Sequence, residues 1–152
     1  MTKRLPTTSR SLPIALIRAR EGVMAPIRDM LAETGITEQQ WRVLRVLSEH
    51  GKLDSKTLAD RASLLMPSLT RIATTLRTKG LITQVRDEVD RRRQFVEITP
   101  AGQHIIDANL DQAIKIVDGF RDALGSEDYE TLLDLLGRLD PNLSAEGKDS
   151  PS

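Results

Sequence analysis

Cysteine is absent from this 152-residue chain. That removes thiol redox sensing, thiolate zinc sites, cysteine nucleophiles and disulfide frameworks together. Aromatic rings are almost as scarce: Trp41, Phe95, Phe120 and Tyr129 are the whole set, too few for single-strand binding by stacking of successive bases. No apolar run approaches the length of roughly 18 residues needed to span a bilayer, and the start MTKRLPTTSRSLP lacks the apolar stretch of a secretory signal. The expectation is a cytoplasmic protein with no membrane partner. Glycine-rich phosphate turns, a P-loop and a nucleophile elbow are also missing. The neighbouring carboxylates Asp87 and Glu88 fall in what reads as a hairpin tip, a poor platform for positioned acid–base chemistry. Neither an enzyme nor a cofactor is expected. His50 and His104 are the only histidines, and neither has a partner at ligand spacing, so no metal site is expected.

What is present is separated by charge. Basic and acidic side chains number 22 each, but the net charge of zero conceals a net +8 over the first 93 residues and −8 over the remainder. A basic working surface and an acidic part with another task follow from that split. The length suits one compact domain with a core of its own.

The apolar spacing is mostly helical. Ile14, Ile17, Met24, Ile27 and Leu31 describe a first helix from Leu12 to Leu31, with Pro13 in its first turn. Gly22 and Pro26 inside it suggest a kink or break. Thr37-Glu38-Gln39-Gln40 is a capping-box pattern opening a second helix, with Trp41, Leu44 and Leu47 on its inner face and Gly51 as its stop. A short extended piece at Lys52-Leu53 follows. Asp54 reads as the N-cap of a short third helix carrying Leu58, Ala59 and Ala62. A fourth helix spans about Pro67 to Lys79 and stops at Gly80. Leu81–Val85 and Gln94–Ile98 read as strands of a hairpin whose tip, Arg86 to Arg93, is rich in arginine. Thr99-Pro100 opens a long fifth helix with Ile106, Leu110, Ala113, Val117, Phe120 and Leu124. Ser126 is expected to cap a sixth, with Tyr129, Leu132, Leu133, Leu136 and Leu139. Residues from Pro141 onward read as a disordered tail.

Two short helices joined tightly and followed by a hairpin make a winged helix-turn-helix, mainly α with a small β-hairpin wing. The fourth helix supports this residue by residue. Leu69, Ile72, Ala73 and Leu76 share one face, while Ser68, Thr70, Arg71, Thr74, Thr75 and Arg77 occupy the other. No acid interrupts the helix between Pro67 and Lys79, a freedom from negative charge that a helix entering the major groove requires. Threonine is a mediocre helix former, so three of them on an outer face serve something other than solubility. The tip adds Arg91, Arg92 and Arg93, placed to reach phosphates and the narrow minor groove. Asp90 is expected to pair with one of these arginines and set the shape of the tip.

The stretch from Asp90 to Gly102, DRRRQFVEITPAG, resembles the wing signature of the MarR family. Thr37–Leu44 (TEQQWRVL) and Leu81-Ile82 following Lys79-Gly80 match that pattern too. The N-terminal LPIALIRAREGVM is similar to the homoprotocatechuate-degradation subgroup, with a similar start in a regulator of fatty-acid efflux. The resemblance covers about residues 10–140. It implies a homodimeric repressor on an inverted-repeat operator in double-stranded DNA. Residues 10–35 and 100–140 would then be dimerisation helices around a DNA-binding domain at 36–99, with the tail at 141–152. The last helix points the same way, because Leu135 lies off the Leu132/Leu133/Leu136/Leu139 face and leaves more apolar surface than one packing side uses.

In that family, small aromatic acids bind between the dimerisation helices and the winged body. Arg18 matches a carboxylate-contacting arginine of salicylate-binding relatives and would grip a carboxylate by two parallel hydrogen bonds. Trp41 suits a flat ring, Arg45 lies one helical turn beyond it, and Ser11 offers a hydroxyl. Core packing for Trp41 and, for Arg18, an interface ion pair with Glu21 or with the partner chain are the plainer readings. The expected effector is a phenolic or aryl carboxylic acid from an aromatic-catabolic or efflux system, with a fatty acid second. A repressor without an effector and a helical protein–protein adaptor are the alternatives. The adaptor would need an acidic or apolar outer face on the fourth helix, and Ser68 to Arg77 have neither.

Overall fold

The computed structural model describes residues 2–142, so the expected disorder beyond that point lies outside the described residues. After a short 3-10 turn at Thr8–Arg10, the chain forms α1 (Leu12–Leu31), α2 (Glu38–His50), β1 (Leu53–Asp54), α3 (Ser55–Arg61) and α4 (Met66–Thr78). It continues through β2 (Ile82–Arg86), β3 (Gln94–Ile98), α5 (Pro100–Leu124) and α6 (Ser126–Leu139). Among the described residues no helix is long and apolar enough to cross a membrane.

Of the kink or break expected at Gly22 and Pro26, the break is absent: α1 is helical from Leu12 to Leu31. A proline ring clashes with the carbonyl four residues earlier. Here that residue is Gly22, whose backbone is the most permissive available and whose missing Cβ would meet nothing within 4 Å. The α2 start is a complete capping box. The Gln40 N–H donates to Thr37 Oγ1 at 3.2 Å, and the Thr37 N–H donates to Gln40 Oε1 at 3.1 Å. Asp54 caps α3 as expected, accepting from the Thr57 N–H at 2.8 Å. Two caps differ from the expectation. α4 begins one residue early, with Leu65 at its N-cap and Pro67 still in the first turn. Gly125 rather than Ser126 stands at the N-cap of α6, and Ser126 is the first helical residue.

The core lies under α2, α3, α4 and the sheet. Leu44, Leu47, Leu58, Leu69, Leu76, Ile82 and Val96 are essentially sealed from water, with Met30 and Leu31 closing one end. The hairpin gains a third strand. The order is β1-β3-β2, all antiparallel, with Leu53 opposite Val96 and Ile82 opposite Ile98. Two residues of β1 thereby tie the base of the wing to the start of α3.

A tight joint connects the wing to α5. Thr99 Oγ1 donates to the Gly80 carbonyl at 2.7 Å, and the Thr99 N–H donates to the Leu81 carbonyl at 3.0 Å. Gly102, the only buried residue of α5, sits so close that a Cβ there would lie 2.3 Å from the Leu81 oxygen. Beyond this joint α5 leaves the core. Leu110, Ile114, Val117 and Leu124 stay exposed, as do Leu12, Leu16 and Ile17 of α1 and five leucines of α6.

Candidate nucleic-acid interface and ligand pocket

α4 presents the division read from its spacing. Leu69, Ile72, Ala73 and Leu76 are buried, while Thr70, Arg71, Thr74 and Arg77 are exposed and Ser68 and Thr75 half-buried. Its threonines are not free hydroxyls. Thr70 Oγ1 donates to the Met66 carbonyl, Thr74 to Thr70 and Thr78 to Thr74, each at 2.9 Å, and Thr75 donates to Arg71 at 3.3 Å. With each proton turned back onto the helix, the outward chemistry of these residues is acceptor oxygen and methyl group. Arg71 and Arg77 therefore supply the guanidinium donors of the exposed face, Arg77 giving one of its N–H groups to Gln84 Oε1 on β2.

Between α4 and the wing runs an open groove of about 680 Å³. Thr70, Thr74 and Arg77 line it from the helix, Arg92 and Arg93 from the wing, and Lys56 from α3. The sole acid in its wall is Asp54, and that carboxylate is held by its own chain. Besides the Thr57 N–H it accepts from Thr57 Oγ1 at 3.0 Å, and Arg93 Nη2 lies 3.6 Å from Oδ2. The backbone hydrogen bond from Thr57 is the first cause lowering the Asp54 pKa below its ordinary value. The Thr57 hydroxyl, Arg93 and Lys56 add to it against a smaller opposing effect of burial. The groove is thus positive along its rim.

The expected Asp90 pairing is corrected here. The Asp90 carboxylate accepts from the Arg92 N–H at 3.1 Å, and its carbonyl accepts from the Arg93 N–H at 3.0 Å, so it shapes the tip through the backbone. The arginine that forms an ion pair is Arg93, and its partner is Asp54 on the far side of the wing base. Arg93 also lies over the Phe95 ring at 5.7 Å, with Lys52 at 5.0 Å. Arg91 and Arg92 are left exposed at the tip.

Sequence reasoning missed Lys56 and Gln84. Lys56 lies in the first turn of α3 and Gln84 in β2, and neither was singled out from the sequence. Nothing in local spacing showed that β2 would pass alongside Arg77.

A second cavity, about 200 Å³, opens between α2 and α5. Trp41 and Arg45 line it opposite Ile106, Leu110, Val117 and Asp118. Two of the four expected ligand residues thus meet, while Ser11 and Arg18 lie outside this wall of the chain. Arg18 is exposed on α1 and does not pair with Glu21, whose carboxylate is taken by Arg28. Trp41 is only 5% exposed, so it serves core and cavity wall at once. No group of three or more His, Asp or Glu side chains among the described residues is placed to hold a metal ion.

Comparison with known proteins places this geometry. The sequence model of the MarR family matches residues 36–93. The HTH-type transcriptional regulator FarR of Neisseria gonorrhoeae is 38% identical over 137 residues, spanning 89% of this chain and 94% of its own length. The homoprotocatechuate degradative operon repressor of Escherichia coli is 41% identical over 93 residues, 61% of this chain and 63% of its own. Among solved structures, NadR in complex with 4-hydroxyphenylacetate superposes with a TM-score of 0.78 at 37% identity, covering 91% of this chain and 97% of that one.

Proposed function

The chain belongs to the MarR family of winged-helix transcriptional regulators, and from that premise we propose that it is a homodimeric repressor of an aromatic-catabolic or efflux operon, released by a small aromatic carboxylic acid. The observation that carries the DNA reading is the acid-free outer face of α4, set beside an arginine wing across one groove whose only carboxylate is already satisfied. Two copies of α4 enter successive major grooves of an inverted repeat. Ser68, Thr70, Arg71 and Thr74 lie nearest the bases, Thr75 and Arg77 nearest phosphates. Arg91 and Arg92 reach the flanking minor grooves, with Arg93 anchoring the wing that delivers them.

The second copy is supported by α1, α5 and α6. Ile17 of α1 is 70% exposed and Leu139 of α6 59%, and Leu110, Ile114, Val117 and Leu124 of α5 are exposed as well. A surface of that kind calls for a partner, and residues 10–35 and 100–140 supply it. Ser11 and Arg18 then act at the cavity of the partner copy rather than at that of their own chain.

The effector reading rests on the cavity between α2 and α5. Its apolar walls, the Trp41 indole and the Arg45 guanidinium suit one aromatic ring carrying a carboxylate. NadR, the relative solved with 4-hydroxyphenylacetate, supports that ligand class. Occupancy shifts DNA affinity only if the ligand binds one spacing of the two reading heads better than the other.

The test is fluorescence anisotropy on duplex DNA from upstream of the gene, alongside a selected random-sequence pool, with and without aryl and fatty acids. Selective binding released by an aryl acid is the expected result. Binding indifferent to every acid would leave a constitutive repressor. Failure of the random pool to yield any enriched sequence would leave the protein–protein adaptor.

A further inference from the structure

Asp118 is a charged member of the α2/α5 cavity that nothing in the sequence singled out. Its position is fixed by how the two helices meet. Ser48, near the end of α2, donates to Gln103, near the start of α5, at 2.9 Å. Leading away from that junction, α2 passes Arg45 and then Trp41, while α5 passes Ile106, Leu110, Val117 and Asp118. At a helical rise of about 1.5 Å per residue, Arg45 lies only about 4.5 Å along α2 from the junction and Asp118 about 22 Å along α5. The two charges therefore mark opposite ends of one apolar trough.

Side chains on a helix lean toward its N-terminus. That direction is away from the junction for Arg45 and toward it for Asp118, so the two lean toward each other over the trough. They form no ion pair with each other, and neither has another ionic partner among the described residues.

We propose that Asp118 is a specificity-determining residue of this cavity, selecting effectors that carry a hydrogen-bond donor, a hydroxyl or an amine, at the end opposite their carboxylate. The proposal rests on the effector reading above. An ionised aspartate is an acceptor only and repels a second carboxylate. The ligand acid is thus driven to the Arg45 end, and a group that meets the exposed Asp118 must donate a hydrogen bond or displace the water on that carboxylate without replacing it. A ring with a carboxylate at one end and a donor at the other satisfies both. A simple aryl acid satisfies only Arg45, a methoxy derivative offers Asp118 a second acceptor, and a diacid meets like charge.

The experiment uses the full-length protein and its only tryptophan, Trp41, which lines the cavity and reports occupancy by its fluorescence. Titration compares 4-hydroxyphenylacetate with phenylacetate, 4-methoxyphenylacetate and 1,4-phenylenediacetate, for the wild type, Asp118→Ala and Arg45→Ala. Asp118 is exposed, so its truncation leaves the core untouched. The expected result is a preference of roughly tenfold for the hydroxy acid, as for one hydrogen bond to a charged group. Asp118→Ala abolishes that preference and relaxes rejection of the diacid, while Arg45→Ala weakens all four acids alike. Equal affinities in the wild type, or a preference that survives Asp118→Ala, would overturn the role of Asp118 and leave the pocket standing. If no acid alters Trp41 fluorescence or DNA binding, the effector reading falls, and this one with it.

Discussion

Arg93 Nη2 lies 3.6 Å from Asp54 Oδ2, so the residue that caps α3 also holds the base of the wing. The two are 39 positions apart in sequence. One carboxylate thereby fixes the relative placement of the helix-turn-helix and the hairpin, whose arginines must reach DNA in register with α4. Replacement by alanine removes the cap and costs about 0.5–2 kcal/mol. Asparagine is itself a good cap, so Asp54→Asn should cost less in urea unfolding, yet lower DNA affinity comparably because Arg93 loses its anchor.

The same residue makes a pH prediction. The folded-state pKa of Asp54 is lowered, chiefly by the Thr57 N–H, so its contribution to stability is present above the unfolded value of about 3.9. It is lost as pH falls through the lower folded value. The stability gap between wild type and Asp54→Asn, followed by thermal unfolding, should close on acidification through that window and stay constant from there to neutrality.

Gly102→Ala places a methyl group against the Leu81 carbonyl oxygen, which accepts from the Thr99 N–H. Overpacking of this kind costs about 1–3 kcal/mol, and no rotation relieves it. A clear fall in melting temperature is expected. An unchanged value would mean that the joint between wing and α5 is looser than its geometry.

Two arginines should behave differently on DNA. Arg71→Ala should cost about 1–3 kcal/mol at one position of the site and relax base preference there. Arg92→Ala should weaken binding to all sequences and reduce the salt slope by about 1. Anisotropy titrations at several salt concentrations separate the two. A base-specific loss with unchanged slope for Arg92 would move it out of the phosphate-contacting set.

Leu133→Asp introduces a charge into the apolar face of α6, where the leucine is 48% exposed and outside the core. Stability of the winged body should hold while sedimentation shows a shift from dimer to monomer and DNA affinity falls. A dimer that persists would place the subunit contact elsewhere.

The sequence alone determined the helices and the inward faces of α2, α3 and α4, because these depend on local chemistry. Capping residues, proline positions and apolar spacing placed α1 to α6 within a residue or two, and Leu69, Ile72, Ala73 and Leu76 were legible from a period of 3.6. It also exposed the outer face of α4, since the absence of acid over a whole helix is a local property. The cap expected at Ser126 was misread by one neighbour, Gly125, and of the kink or break expected around Pro26 the helix shows no break. Tertiary structure decided which charges meet. Arg93 turned to Asp54 rather than Asp90, Arg77 met Gln84, and Asp118 joined Trp41 and Arg45. Each of these pairings spans elements whose separation in sequence carries no period, and a side chain finds such a partner only after the core has set the distances between helices and strands.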